Sequence, residues 1–330
     1  MAFRTNKRLL GGVLALLALA VVVVLVWNSG GTPADLRTPA GRRDFIDRAA
    51  GALARASAIR YTGPGVQLTV TRDGWATGTL SLGGASAAVL TADGSTYVKA
   101  GQAFWRANGA ATHPEYYAGR WSRTTSAALG LDPATLTPAV VAQRLRNAVS
   151  VTEKGALIRA DDLQLSALSP YSLLNVGGLG AHSLSGKGAY DTVRAAVSGL
   201  AGALDPAVRF PPDKALRFQN CGAGGCTLST TVTATGALRE VTAAGNGTIF
   251  ADGLMLGGCT DGGPLGAGRT VTLSCRVTGL AWDNWLTDAQ TIAGDHHYWA
   301  EFRVLAQSVS ATDVARLQGL VDQQARATGQ

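Results

Sequence analysis

The longest uninterrupted hydrophobic run in the chain lies near its first residue. Nineteen residues without a charge, Leu9 to Trp27, follow directly on the basic residues Arg4, Lys7 and Arg8. At about 1.5 Å of rise per residue, a helix of this length approaches the roughly 30 Å hydrocarbon core of a bilayer. Because the positive charge precedes the run, we expect residues 1–8 in the cytoplasm and the main body outside the cytoplasm.

A cleaved signal peptide is the alternative to an uncleaved anchor. The apolar region of a signal peptide usually spans about 7 to 15 residues and ends in small residues, whereas this run is longer and ends at Trp27. No cysteine immediately follows the run, which excludes the attachment used by bacterial lipoproteins. We therefore predict a signal-anchor, a single-pass transmembrane helix over 9–27 in the cell membrane, followed by a linker over 28–41, and leave cleavage open.

Helical spacing and strict alternation follow each other in the next part of the chain. Apolar residues at helical spacing predict an amphipathic helix over Arg43 to Ser57. From Val66 onward apolar and polar residues alternate, and turn signals such as Asp73-Gly74 separate the runs, which predicts a β-meander. A further helix is predicted over Val140 to Val149, and the Gly-rich segment Gly177 to Gly188 is predicted to be a loop.

The segment Phe210-Pro211-Pro212 indicates a change of domain, and we place the boundary between residues 205 and 206. Short alternating runs with regular turns, such as Cys226 to Ala234 and Thr270 to Thr278, then predict an antiparallel β-sandwich over 206–330. A closing helix is predicted from Ser310 to Ala327, with Ser310 as its N-cap.

Charge and composition narrow the function classes. Setting aside Arg4, Lys7 and Arg8 leaves 26 basic against 22 acidic residues without a basic cluster, so no nucleic-acid binding is expected. Only five of the 29 basic residues are lysine, and Gly reaches 42, which indicates a GC-rich, actinobacterial genome.

All four cysteines lie between residues 221 and 275. An even number outside the cytoplasm favours disulfides, and the C-x2-C spacing of a zinc site is missing. Of the three connectivities that four cysteines allow, we favour Cys221–Cys226 and Cys259–Cys275, because each pair closes a local loop or hairpin.

Short motifs in the first half of the chain carry a resemblance to a known family. They are the helix end Ala54-Arg55-Ala56-Ser57-Ala58, the run Asp93-Gly94-Ser95-Thr96-Tyr97-Val98-Lys99, Phe104-Trp105, Arg120-Trp121 and Leu131-Asp132-Pro133 before a helix. In these motifs residues 42–205 resemble the LppX/LprG-type lipoprotein family of actinobacteria. The resemblance implies a curved antiparallel sheet, or half-barrel, with helices against its concave face, and a cavity there that can hold lipid chains.

The chain departs from this family at both ends. The membrane span replaces the lipidated cysteine, and residues 206–330 are an addition. Through the run Leu265 to Cys275, this addition resembles Ig-like modules of actinobacterial surface proteins. The expected fold class is therefore α+β: a transmembrane helix, a half-barrel sheet with helices, and a disulfide-bearing β-sandwich with a C-terminal helix.

Aromatic residues concentrate within about fifty residues of the meander, which indicates either ordinary core packing or a cavity or sugar-stacking surface. We predict nine residues around an apolar cavity: Val66, Leu68, Val70, Leu80, Leu82, Val89, Tyr97, Phe104 and Trp105. If the helices fill the concave face, no ligand enters and these side chains are core.

No motif indicates a reaction. No G-x-S-x-G elbow is present, and the four histidines, His113, His182, His296 and His297, are expected at the surface. We expect no catalytic residues, metal or cofactor. The leading hypothesis is a non-enzymatic envelope protein whose first domain binds or carries an apolar ligand, with lipid as a candidate. The alternatives are an interaction scaffold for an envelope protein partner and, less favoured, an envelope hydrolase.

Overall fold

The computed structural model describes residues 35–82, 84–108, 112–211, 216–236, 240–265 and 267–328. The predicted transmembrane helix and the tail before it lie outside these ranges. Among the described residues, no helix is long and apolar enough to cross a membrane.

The described residues form a mixed α+β structure with mostly antiparallel sheets. Its helices are α1 Pro39–Arg55, α2 Gln102–Ala107, α3 Ser126–Leu129, α4 Pro138–Arg146, α5 Gly188–Ser198, α6 Leu280–Thr291 and α7 Ala311–Ala327, with 3-10 turns at Pro114–Tyr116, Pro133–Leu136 and Ala267–Arg269. The first eleven strands are β1 Ala58–Gly63, β2 Val66–Thr71, β3 Ala76–Leu82, β4 Ala85–Ala92, β5 Ser95–Lys99, β6 Trp121–Thr124, β7 Val151–Lys154, β8 Leu157–Ala160, β9 Leu163–Ser166, β10 Leu173–Val176 and β11 Leu179–Leu184. The later strands are β12 Val208–Arg209, β13 Arg217–Gly222, β14 Gly225–Thr233, β15 Thr235–Gly236, β16 Thr242–Ala251, β17 Leu254–Pro264, β18 Thr270–Val277 and β19 Tyr298–Gln307.

Strands β1 to β11 form one antiparallel sheet, the long sheet, in the order β6-β5-β4-β3-β2-β1-β11-β10-β9-β8-β7. It consists of two meanders that meet where β1 pairs with β11, with Tyr61 opposite Ala181. The predicted loop over 177–188 is therefore wrong, because it contains β11. Gly177 and Gly178 both have positive φ and form the tight turn from β10 to β11, a conformation that glycine adopts without steric cost.

Helices α1 and α4 cover one face of the long sheet. Helix α1 begins at Pro39, inside the predicted linker, because Thr38 Oγ1 accepts a hydrogen bond from the Gly41 amide at 3.0 Å and proline suits the first helical position. Phe45 and Leu53 of α1 pack with Leu145 of α4 in a buried cluster that also contains residues of β1, β2 and β8 to β11.

Two three-stranded sheets, β13-β14-β18 and β17-β16-β19, follow and share one buried cluster. The predicted disulfides are both confirmed: Cys221–Cys226 bridges β13 and β14, and Cys259–Cys275 joins β17 of one sheet to β18 of the other. Helix α6, which the alternation did not predict, places Trp282 in the shared core, where its Nε1 donates to the Gly222 carbonyl at 2.9 Å.

The C-terminal helix α7 is confirmed, together with the capping box between Ser310 and Asp313. It packs against α5 of the first part of the chain, and Leu317 and Val321 are buried in a cluster with residues of α5 and the long sheet. Arg194 of α5 forms an ion pair with Asp322 of α7. The last helix is therefore joined to elements that precede the predicted boundary at 205/206.

Replacing Leu317 with alanine is expected to lower the free energy of unfolding by about 2–5 kcal/mol, because it leaves a cavity between α7 and α5. The matched control is Leu280→Ala, whose side chain is 80% exposed, with an expected change below about 0.5 kcal/mol. Chemical denaturation of the full chain measures both. Equal effects of the two substitutions would contradict the packing of α7.

The two disulfides are expected to differ in their effect on stability, because they close loops of different length. Replacing both Cys259 and Cys275 with alanine should cost about 3 kcal/mol, whereas the double variant at Cys221 and Cys226 should cost about 2 kcal/mol. Equilibrium unfolding under non-reducing conditions provides the comparison. A larger loss for the shorter loop would show that chain entropy does not set the order.

Candidate functional site

Eight of the nine residues predicted around a cavity lie on or above one face of the long sheet, its apolar face. Leu68 lies opposite Gly78, which in turn lies opposite Val89 on the next strand, and Val66 lies opposite Leu80. The side chains of Leu68, Val89, Val66 and Leu80 therefore point to the same face of the sheet. Phe104 and Trp105 of α2 pack against the same face. Tyr97 is the exception: it pairs with Leu90 and packs on the opposite face with Trp75 and residues of α5.

These residues are packed as core. Val66 is half-buried and the other eight are buried: seven on the apolar face against α1, α4, α2 or their neighbours, and Tyr97 on the opposite face. Helices α1 and α4 cover the part of the apolar face around Leu68 and Val70, whereas α2, Tyr117 and Leu129 cover the part around Val89. None of the nine residues lines either of the two clefts described below, so the cavity stays a prediction.

Two polar atoms lie beneath these helices. The Tyr61 hydroxyl donates to the Leu136 carbonyl at 2.6 Å, and burial raises the pKa of Tyr61 well above its usual value. Trp105 is wholly buried, and its indole N–H has no acceptor among the described residues. A buried donor without a partner costs about 1–3 kcal/mol of stability. Of the nine predicted cavity residues, Trp105 is the one with a buried polar side-chain atom that has no hydrogen-bond partner among the described residues.

An open cleft of about 930 Å³, the junction cleft, lies where the elements before and after residue 206 meet. Its walls come from the segment after α5, the start of β16, the end of β17 and the segment between β19 and α7. Val241 and Leu265 supply apolar surface, and Glu240 and Asp313 supply carboxylates. The Ser310 hydroxyl, 2.6 Å from Asp313 Oδ2, lowers the pKa of Asp313, which is therefore charged at neutral pH.

Contacts between the elements before and after residue 206 fix the shape of the junction cleft. The Arg303 guanidinium of β19 lies 3.8 Å from the centroid of the Tyr116 ring. Arg123 Nη1 of β6 lies 3.4 Å from Asp205 Oδ2, and Leu305 packs against the buried cluster beneath α2. Because α7 also returns to α5, the two parts of the chain are joined at several points around the cleft.

A second cleft of about 540 Å³, the arginine cleft, lies between the first turns of α1 and the end of α4. Arg42, Arg43 and Arg146 line it, together with Asp47 and the exposed Val149. The doublet Arg42-Arg43 is visible in the sequence, whereas Arg146 joins it only because α4 packs against α1.

An exposed apolar row crosses the solvent face of β17, β16 and β19. Met255 lies opposite Phe250, which lies opposite Trp299. The rings of Phe250 and Trp299 stack with centroids 4.4 Å apart, and about half of Trp299 is exposed. None of these residues was predicted as a site, and Trp299 joins Phe250 only through the pairing of β16 with β19, about fifty residues apart in sequence.

The four histidines lie away from both clefts. His113, His182 and His297 are exposed and His296 is half-buried, and none of them lines either cleft. Within the ranges that the structure describes, no group of three His, Cys, Asp or Glu residues could hold a metal ion.

Comparison with known proteins gives no family: the chain has no significant match to a protein-family model, a curated protein or a solved structure. The resemblance to the LppX/LprG-type family thus rests on the motifs and stays a prediction.

The buried Tyr190 on α5 gives the fold a measurable dependence on alkaline pH. Its hydroxyl donates to Asp73 Oδ2 at 2.7 Å, and burial, with the neighbouring Asp73 carboxylate, raises the pKa of Tyr190 to about 12. The same side chain in the unfolded chain ionises near about pH 10. The unfolded state therefore loses its proton first, and stability declines as pH rises between the two values.

Tyr190→Phe is expected to remove this contribution, which amounts to about 1.4 kcal/mol per pH unit above the unfolded pKa. Urea unfolding of both proteins at about pH 9 and about pH 11 should show a smaller alkaline loss of stability in the variant. Identical losses in the two proteins would contradict the assigned burial and hydrogen bond of Tyr190.

Proposed function

We propose that this protein is a non-enzymatic, membrane-anchored protein of the bacterial cell envelope that recognises an envelope protein partner at the junction cleft. The single-pass helix over 9–27, with its N-terminus in the cytoplasm, holds the main body outside the cytoplasm. The disulfides support this compartment, because such bonds persist in oxidising environments.

The observation that carries the proposal is the contrast between two surfaces. The apolar face of the long sheet is covered by the chain's own helices, and seven of the eight predicted ligand-binding residues that lie on this face are buried. The junction cleft is open, combines apolar and charged groups, and lies between parts of the chain that several contacts hold together. A preformed, mixed surface of this kind suits recognition of a polypeptide segment.

An apolar-ligand carrier is the second candidate. The long sheet, with α1, α2 and α4 against its apolar face, agrees with what the resemblance to the LppX/LprG-type family implies. The indole N–H of Trp105, which has no acceptor among the described residues, suits the carbonyl of an acyl ester. Val66 and Leu131 are half-buried and lie between the two buried clusters, where the covering helices would separate. In this candidate α2 moves away from the sheet when the ligand enters.

The contents of the purified protein separate the two candidates. A second single-pass protein, purified in parallel, shows which bulk lipids accompany a membrane anchor. We expect mass spectrometry of organic extracts from the full chain to find these bulk lipids and no further apolar molecule in stoichiometric amount. One specific molecule per chain, lost in a Leu68→Trp variant that fills the apolar face, would establish the carrier and overturn the scaffold.

The junction cleft is tested directly by a photo-cross-linking amino acid at Val241 in the producing cells. A discrete protein adduct is expected there, because Val241 lines the cleft. The same amino acid at Leu280, exposed on α6 and outside the cleft, is the matched control and should give no such adduct. Equal labelling at both positions, or none at either, would contradict recognition at this cleft.

A further inference from the structure

We propose that the arginine cleft docks on anionic phospholipid head groups of the membrane that holds the chain, with Val149 entering the bilayer interface. This inference rests on the membrane anchor of the proposed function and adds a second, electrostatic contact between the main body and the lipid.

The charge of the cleft is the first argument. Arg42, Arg43 and Arg146 are exposed, and none of them has a carboxylate within 4 Å among the described residues, whereas the nearby Arg48 is paired with Asp44 at 2.8 Å. Among the described residues that line the cleft, Asp47 is the only acidic one, and the Asp161 carboxylate lies at the edge of the cleft, bonded to the Val149 amide. Guanidinium groups bind phosphate oxygens in bidentate geometry, and three of them around one cleft match a phosphodiester head group.

The start of α1 adds to this positive potential. The amide groups of the first helical turn point toward the N-terminal end and carry partial positive charge. No acidic residue lies in the first turn of α1, and the nearest carboxylate before it is that of Asp35, which accepts a hydrogen bond from the Arg37 amide at 3.1 Å. The cleft therefore combines three guanidinium charges, partly offset by Asp47, with the positive end of a seventeen-residue helix.

An exposed apolar side chain stands at the edge of the same cleft. Val149 is 95% exposed, although valine is usually among the more buried residues. Its position is fixed, because the Asp161 carboxylate accepts hydrogen bonds from the Val149 amide at 3.1 Å and from the Ser150 amide at 3.0 Å. A basic surface with a projecting apolar residue is typical of sites that bind a membrane interface.

The length of chain between the anchor and the cleft limits how far the cleft can be from the bilayer. Eleven residues, 28 to 38, separate the end of the predicted span from the first residue of α1. Fully extended, they reach at most about 36–40 Å. Arg42 and Arg43 lie on the first turns of α1, so the linker keeps the arginine cleft close to the head groups.

The test uses the full chain in nanodiscs, with a nitroxide label on Val149→Cys, in bilayers of phosphatidylcholine alone or with added phosphatidylglycerol. Electron paramagnetic resonance power saturation reports whether the label meets a water-soluble nickel chelate or lipid-dissolved oxygen. We expect the label to lose most of its nickel accessibility when phosphatidylglycerol is present. A label on Leu280→Cys should stay accessible to nickel in both bilayers.

Two charge variants locate the effect. The triple variant Arg42→Gln, Arg43→Gln and Arg146→Gln is expected to keep the label in water in both bilayers. The matched triple Arg106→Gln, Arg217→Gln and Arg326→Gln removes three exposed arginines elsewhere and should leave the lipid-dependent shift intact. A shift that both triples abolish equally would mean diffuse attraction and would overturn docking at this cleft.

Failure of docking and failure of the anchor give different results. A chain that stays in the nanodisc through alkaline carbonate, with the Val149 label equally open to nickel in both bilayers, overturns the docking proposal and leaves the anchor in place. A chain that carbonate removes from the bilayer overturns the anchor, and the docking inference falls with it.

Discussion

The pairing of β1 with β11 is the contact on which the rest of the structure depends. It joins two meanders into one sheet across more than a hundred residues of sequence, and the backbone and side chain of Ser57 extend it with bonds to the Leu184 carbonyl. Without this ladder there would be no continuous face for α1 and α4 to cover. Ile59 and Tyr61 of β1 are buried in the same cluster as the apolar residues of α1. This cluster positions the start of α1 and therefore the arginine cleft.

The return of α7 gives the second constraint. The chain leaves the long sheet after Leu204, builds two small sheets joined by the Cys259–Cys275 disulfide, and then comes back to α5 through Leu317 and Val321. Both the outgoing segment after α5 and the returning segment before α7 line the junction cleft. The junction cleft is therefore a product of how the two parts are joined, and neither part forms it alone.

Local patterns in the sequence predicted the local structure well. The alternation after Val66 and the turn at Asp73-Gly74 correspond to β2 and β3, and the Ser310–Asp313 pair caps α7. The disulfide pairs were also predictable, because each closes a short loop. In all three cases the interacting residues are close to one another in the sequence.

Long-range contacts account for what the sequence did not predict. Strand β11 lies in a Gly-rich segment and contains no β-branched residue and no Phe, Tyr or Trp, so its β propensity is weak, and it is a strand because β1 and β10 pair with it. Arg146 meets Arg42 only through the packing of α4 on α1. Tyr97 is a different case: its neighbour Val98 faces the apolar side, so strand parity alone would have placed Tyr97 on the opposite face.

The chain's own helices fill the apolar face of the long sheet, which leaves the outer clefts as surfaces for the recognition that we propose. Hydroxyl-radical footprinting of the full chain, read by mass spectrometry at individual tryptophans, probes this filling. The wholly buried Trp105 is expected to resist oxidation, while the half-exposed Trp299 reacts readily. Oxidation of Trp105 at a rate close to that of Trp299 would show that the face opens to solvent, and the assigned packing would then be wrong.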